Sequence, residues 1–546
     1  MSLNSVPLKV VLEKDPMVDV SQLDKRAYAC IDAGQTVTYQ RYICSNVSNS
    51  SLQILTIPPS DKTIIDTRVY AKVKYLLTFA GTSSSGNLLQ LGSADAPRAF
   101  PFNNSCSVST MTLNGQSVSV NVGSYIDALL RYGKNYDDQD LCYAGTPHQF
   151  DQCTQYSQLF GTARSTMAPY GANVLNDSNA AFPGVTILTN TPTAATVQLD
   201  IYEPIMIPLL WENKHGLVNV LNLSFLFTLK QNLVNYLWSH DATNGNNISS
   251  SVAVVQDFSL IFRFITPKVL SSVPQNAIYP YYAIIPNSQQ LSSIASGATT
   301  QVAMNSINLQ SIPKMVYIFV KEIDSEQSIN IPNSYFNISN VNVTYMNTTG
   351  RLASCEPQGL YQIAHDNGFN GSYAQWAKNN GSVLCLRFGK DIPLDSLYSP
   401  GQLVVNQISM TMAITNLSNR TITPMCYWMF VHEGVGVISN GSLSLSTNVL
   451  SNSDVLNAQI ENAPSIEMTR PHSIYGGSIN DVVNKLGKWV DSTSDLVEEV
   501  GPYVKKALPL IGLGGSMVGG RRRKTKGGEL ISARELKQQS DKYSEY

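Results

Sequence analysis

Between about residue 30 and residue 465, apolar residues recur in short alternating or continuous runs separated by turn residues, the pattern of strands and not of long helices. A first series includes VYAKVKYLLTF (69–79), ATVQLDIYEPIMI (195–207), LSFLFTL (223–229) and FSLIFRFI (258–265). A second includes MVYIFVK (315–321), the run 341–346, VLCLRF (383–388), LVVNQISMTMAIT (403–415) and MCYWMFVH (425–432). In TMTLNGQSVSV the Asn114-Gly115 pair separates two alternating runs, which predicts a tight hairpin because both turn positions need positive φ. Only three helices are expected there: 124–132 with Ser124 as N-cap, then 361–365 and 373–378.

Prolines at 267, 274, 280 and 286 punctuate the gap between the two series, so a domain boundary is expected there. The predicted organisation is an N-terminal arm (1–29), a first β domain (30–267), a linker (268–280), a second β domain (281–470) and a tail (471–546). Two domains of this size, each built from many short strands, predict an all-β chain of two tandem jelly rolls with short helices in loops. A pair of unrelated β-sandwiches, as in a carbohydrate-binding or glycoside-hydrolysing protein, is the alternative.

Past residue 470 the period changes. In SINDVVNKLGKWV the residues Ile479, Val482, Val483, Leu486, Trp489 and Val490 fall on one helical stripe, and Ser478 is placed to cap it. Such an amphipathic arm suits docking on protein, or lying in a membrane interface with Trp489, Lys485 and Lys488. A second helical stretch follows and is broken at Gly501-Pro502.

Composition narrows the picture. The chain has 546 residues, 43% hydrophobic and only 14% charged, so its polarity comes from Asn, Ser and Thr instead of ions. Residues 1–470 hold 25 Lys and Arg against 30 Asp and Glu, whereas residues 521–546 hold 8 against 4, confining positive character to the tail. There Arg521, Arg522, Arg523, Lys524 and Lys526 form a basic run suited to sequence-independent contact with nucleic acid. A solvated extension or a nuclear-import signal explains the same run.

The eight cysteines, at 30, 44, 106, 142, 153, 355, 385 and 426, show no zinc spacing and read as free, mostly buried thiols. MSLNSVPLKVVLEKDP has no long apolar run, so no secretory signal is expected, and no stretch reaches the roughly 20 apolar residues of a membrane-spanning helix. The histidines at 148, 215, 240, 365, 432 and 472 form no paired ligand motif, and His432-Glu433 reads as structural. Neither a GxSxG elbow nor a P-loop occurs. Trp211, Glu212 and Asp391 are the residues a carbohydrate-acting site would use, whereas CYWMF (426–430) reads as core. Thus no catalytic residue, metal ligand or cofactor is assigned.

Several stretches, in order, resemble the double jelly-roll major capsid proteins of virophages and polinton-like viruses. They are AGQTVTYQ (33–40), IPPSDKTIIDTRVYAKV (57–73), LLQLGSADAPRAFPFNN (88–104), TMTLNGQSVSVNV (110–122), LNLSFLFTLKQNLVNYLWSH (221–240) and FRFITPK (262–268). LRFGKDIPL (386–394) and EGVGVISNGSLS (433–444) extend the likeness into the second domain. The resemblance implies a trimeric, pseudo-hexagonal capsomer tiled into an icosahedral shell, in contact with neighbouring capsomers and vertex (penton) proteins.

It also implies a viral cysteine protease of the adenovirus type, which cuts after a Met, Ile or Leu, any residue and two glycines. Two matches flank the amphipathic segment: Ile474, Gly476 and Gly477 before Ser478, and Met517, Gly519 and Gly520 before Arg521. The expected role of the tail is to assist assembly, through genome DNA or an internal membrane as candidate partners, before its removal.

Overall fold

The computed structural model describes residues 35–456, apart from 133–183, 211–215, 241–245, 268–273, 331–335 and some shorter interruptions. Eight strands frame the first half: β1 (Gln35–Ile43), β2 (Ser51–Thr56), β3 (Tyr70–Thr82), β4 (Cys106–Leu113), β5 (Gln116–Val120), β6 (Ala194–Pro204), β7 (Leu223–Leu229) and β8 (Asn247–Pro267). They pair antiparallel in two sheets, in the spatial orders β1-β8-β3-β6 and β2-β7-β4-β5. Val185–Asn190 extends the first sheet beyond β6.

The second half holds β9 (Asn276–Gln290), β10 (Thr299–Ala303), β11 (Met315–Glu322), β12 (Phe336–Tyr345), β13 (Thr348–Arg351), β14 (Val383–Arg387), β15 (Asn406–Asn416) and β16 (Pro424–Ser439). Its sheets run β9-β16-β11-β14 and β10-β15-β12-β13. The permutation is that of the first half: the first strand lies beside the last, and the second beside the seventh. Each half is therefore a jelly roll, the fold expected from the strand pattern.

Alternation along each strand builds the cores. In β2 the burial alternates so that Leu52 and Ile54 face inward, and in β7 Leu223, Phe225 and Phe227 do the same. From the facing sheet, Phe258, Leu260, Phe262 and Phe264 of β8 close the slab. Phe225 meets Phe262 with ring centroids 6.0 Å apart, and Phe227 meets Phe258 edge-on at 5.5 Å. CYWMF is core, as expected: Cys426, Trp428, Met429 and Phe430 are all buried.

The Asn114-Gly115 turn has φ of 50° and 86° and joins β4 to β5, as predicted. Three local expectations are corrected. The helix α2 (Val122–Leu129), which follows the five-residue α1 (Pro101–Ser105), starts two residues before Ser124, with Asn121 at the cap and no side-chain capping bond. Gly123 explains the shift, because a Cβ there would lie 2.3 Å from the Cys106 carbonyl oxygen, so only glycine lets the first turn press on β4. Residues 276–280, inside the expected linker, are strand: β9 is an edge strand, where Pro280 and Pro286 remove no necessary ladder bond. The helix expected at 373–378 is a π-helix, Gln375–Asn379, whereas the one at 361–365 lies within α3 (Pro357–Asp366). The arm 1–29 and the tail 471–546 lie outside the described residues.

Candidate functional site

The chemistry of this chain is concentrated in a polar seam between the two jelly rolls. The segment after β5 carries α2 and then Arg131 and Tyr132 onto the outer face of the β9-β16-β11-β14 sheet. Tyr132 packs edge-on against Tyr317 (5.1 Å) and Phe369 (5.6 Å), and its hydroxyl donates to the Val383 carbonyl. Arg131 is fully buried and donates from Nη1 to the Gly381 carbonyl at 2.9 Å. Covered on both faces, β11 is buried along its entire length.

Two lysines converge on the same seam. Lys230 and Lys321 donate to the Gly123 carbonyl oxygen at 3.3 and 3.4 Å, and Lys230 Nζ lies 3.2 Å from Asp324 Oδ2. Burial pushes the Asp324 carboxyl up, but the charges of Lys321 and Lys230 outweigh it and hold the group below its ordinary range. Arg98 bonds the Ser328 carbonyl, Asn235 bonds that of Gln327, and Tyr279 bonds that of Gly216. Tyr279 thus packs at the domain junction through its hydroxyl as well as its ring.

A second cluster, not foreseen from the scattered histidines, joins Asp95, Trp238 and His240, all fully buried. Asp95 Oδ1 lies 2.8 Å from His240 Nδ1 and accepts from Trp238 Nε1 at 3.1 Å, while Oδ2 accepts from the Gln90 amide. Shut away from solvent, the His–Asp pair clasps two short antiparallel strands, Asp95–Pro97 and Trp238–His240, to each other. Glu203 is equally buried and accepts from the backbone amides of Phe102 and Asn103 and from the Asn103 side chain. Burial lifts its pKa to about 7 despite these donors.

Of the nominated carbohydrate residues only Asp391 is among the described residues. Asp391 Oδ2 accepts from the Arg387 amide and the Asn367 side chain, holding a loop, and Trp211 and Glu212 lie outside the described residues. His432 is buried against Ser311, and Glu433 pairs with Lys314 at 3.0 Å, a structural arrangement. Among the described residues, no three His, Cys, Asp or Glu side chains are grouped to hold a metal. The processing motifs (Ile474, Gly476, Gly477, Ser478; Met517, Gly519, Gly520, Arg521), the amphipathic stripe and the basic run all lie outside the described residues.

Cys44, Cys106, Cys355, Cys385 and Cys426 are free thiols. Burial pushes the thiols of Cys106, Cys385 and Cys426 up to about 12, so they stay protonated and inert near neutral pH. Native alkylation with iodoacetamide is expected to label Cys355, the one of the five that is partly exposed, well before the others. Peptide mapping that finds Cys106 or Cys385 modified first would contradict the burial.

The surfaces complete the site. Strands β2, β4, β5 and β7 contain no Asp, Glu, Lys or Arg, and their counterparts β10, β12, β13 and β15 contain only Arg351. On the first of these sheets the outward residues are Ser, Thr, Gln and apolar side chains; Thr110–Ser119 and Thr112–Ser117 hydroxyls bond across the strands. An exposed sheet of a freely soluble protein ordinarily carries charges. Uncharged faces can be covered by a neighbour without stranding an ion.

Two jelly rolls side by side, joined by a polar seam and showing uncharged sheet faces, define a double jelly-roll architecture. Residues 7–270 match the model of the Sputnik virophage major capsid protein first domain, and residues 279–434 match that of the major capsid protein V20 C-terminal domain. The chain is 30% identical to capsid protein V20 of the Sputnik virophage, over 98% of each chain. Its fold superposes on the Sputnik virophage cryo-EM structure with a TM-score of 0.76 at 28% identity, covering 86% of this chain and 99% of that one. The mavirus major capsid protein shares the fold at 12% identity, with a TM-score of 0.67 over 84% of this chain and 100% of that one. The chain belongs to the virophage major capsid protein family. Its place is the shell of the virion, and it is a structural protein and not an enzyme.

Proposed function

We propose that this chain builds the virophage shell as a trimeric capsomer, and that its C-terminal segment assists assembly before a viral cysteine protease removes it. The repeated strand permutation supports the reading, because two equivalent jelly rolls per chain give three copies a pseudo-hexagonal outline that can tile. The uncharged outer faces of β2-β7-β4-β5 and β10-β15-β12-β13 carry the proposal. They suit contact with neighbouring capsomers and vertex proteins, where an unpaired ion would be desolvated.

Cutting after Gly477 would release the amphipathic stripe and, with it, Arg521 to Lys526. The basic run then acts only in the precursor, where it can hold genome DNA, and the stripe can engage protein or an internal membrane. Multi-angle light scattering on the full-length chain should give the mass of three copies, and intact-mass measurement on virions should give a chain ending at Gly477. A monomer at all concentrations sinks the capsomer reading. A virion chain ending at Tyr546 sinks the processing reading, and one ending at Gly520 retains the amphipathic arm in the mature shell.

A further inference from the structure

Among the described residues of the second jelly roll, the most exposed large apolar side chains lie close together in sequence. Leu397 is 52% exposed, Leu403 66% and Val405 76%. Val404, between the last two, packs on the core, so Leu403 and Val405 project away from it. Strand pairing of β15 stops at Asn406, opposite Leu309, and residues 403–405 prolong the strand as an apolar extension. The turn that carries Leu397 is tied to the start of this extension: Gln402 Oε1 accepts from the Ser399 amide at 2.6 Å, and Gln402 Nε2 donates to the Leu397 carbonyl at 3.3 Å. Apolar side chains gathered on a surface in this way mark a contact.

The chain leads its own C-terminal segment to this patch. Leu450 forms a parallel bridge with Gln402, and its amide donates to the Gly401 carbonyl at 3.4 Å. The described chain then ends in the short helix Asn452–Leu456, whose start is closed by reciprocal bonds between Ser451 and Asp454. Everything beyond residue 456 therefore departs from the flank of the patch. The stretch from Leu456 to Ile479 reaches about 75 Å at full extension, so the tether does not restrict where the stripe can return.

We infer that Leu397, Leu403 and Val405 hold the amphipathic stripe Ile479–Val490 of the same chain for as long as the C-terminal segment stays attached. The outward row Leu403, Val405 and Gln407 sets no charge against an apolar helix face. Lys485 and Lys488 border the stripe, and Asp395 is exposed in the turn that carries Leu397, so opposite charges flank the apolar contact. The tether makes the docking intramolecular, which favours this stripe over a free partner of the same chemistry. Cutting after Gly477 then uncovers the patch, and the mature shell gains an apolar surface that the precursor keeps covered. The inference rests on the reading of the C-terminal segment as a precursor element and adds where that segment docks.

The test applies limited trypsin to the uncut, full-length chain. Cleavage after Lys485 and Lys488 is expected to be at least about 10-fold slower than after Arg521 to Arg523, because docked backbone must open before it is cut. Leu403→Asp with Val405→Asp places two charges under the stripe without touching the core, and should speed those two cuts about 10-fold. The urea midpoint should stay that of the parent chain. Leu226→Asp, on the first jelly roll, should leave both cuts slow. On a mixture of light and heavy isotope copies, a zero-length carbodiimide should join Asp395 to Lys485 or Lys488 within one chain.

Cuts at Lys485 and Lys488 as fast as at Arg521, or slow cuts that Leu403→Asp/Val405→Asp leaves unchanged, overturn the inference. Cross-links found only between light and heavy copies also overturn it, by giving the stripe to a neighbouring copy. None of these outcomes bears on the cut after Gly477, which the mass of the virion chain decides by itself.

Discussion

Tyr132→Ala is expected to cost about 3–5 kcal/mol of stability, the range for removing a large buried aromatic side chain. The ring is fully buried between Tyr317 and Phe369, and the hydroxyl reaches the Val383 carbonyl of the other jelly roll. The loss should also change the form of unfolding. With the seam opened, the jelly rolls are expected to unfold in two steps in urea, each with a smaller denaturant slope than the parent transition. Tyr132→Phe separates packing from bonding: it keeps the ring and should cost only about 1 kcal/mol, with one cooperative transition. A Tyr132→Ala chain that loses less than about 1 kcal/mol and still unfolds in one step would show that the seam does not couple the two rolls.

The second large effect is a pair of opposed pH dependences. Glu203 has its pKa raised by burial from 4.5 to about 7. The folded state therefore binds its proton more tightly than the unfolded chain, so stability from this group is fully present below 4.5 and is lost as pH rises through about 7. His432 has its pKa lowered by burial from 6.5 to about 4. Its neutral form is the one accommodated beside Ser311, so stability is present above 6.5 and is lost as pH falls toward 4. At about 1.4 kcal/mol per pKa unit each effect spans about 3 kcal/mol, with opposite sign over the shared window.

The two contributions nearly cancel in the parent chain between pH 4.5 and 6.5. Glu203→Gln should expose the histidine slope, so that this chain loses stability on acidification. His432→Asn should expose the glutamate slope, so that stability rises as pH falls from 7 to 4.5. Urea midpoints at half-unit pH steps check both, and parallel profiles for the two variants would contradict the assignment.

Much of the fold was legible because jelly-roll strands obey a period of two. Leu52, Ile54, Phe225 and Phe227 announce their inward faces by spacing alone, and Asn114-Gly115 announces its turn because few other residues tolerate positive φ at both positions. The errors have local causes with distant origins. Ser124 is a good cap by type, yet the helix starts earlier because Gly123 admits the Cys106 carbonyl, a neighbour from another strand. Pro280 looked like a breaker because sequence cannot say that β9 lies at a sheet edge.

The site was much less legible. Asp95 and His240 are 145 residues apart, and nothing in their local patterns pairs them. Arg131 and Gly381 are joined across 250 residues. The low charge of the outward sheet faces was visible only as a global composition until the pairing of β2, β4, β5 and β7 gathered those residues on one surface.

The sequence by itself determined the strand content, the inward faces, the absence of recognised catalytic motifs, and, through short ordered motifs, the capsid family. Those properties are local or additive along the chain, so periodicity and composition suffice to read them. Only the tertiary structure decided the strand permutation, the His240–Asp95 clasp, the seam around Tyr132, and the exposure of Tyr39 and Ile43 on the edge strand β1. Each of these depends on which distant segments desolvate one another, and burial of that kind is a property of the folded surface and not of any stretch of chain.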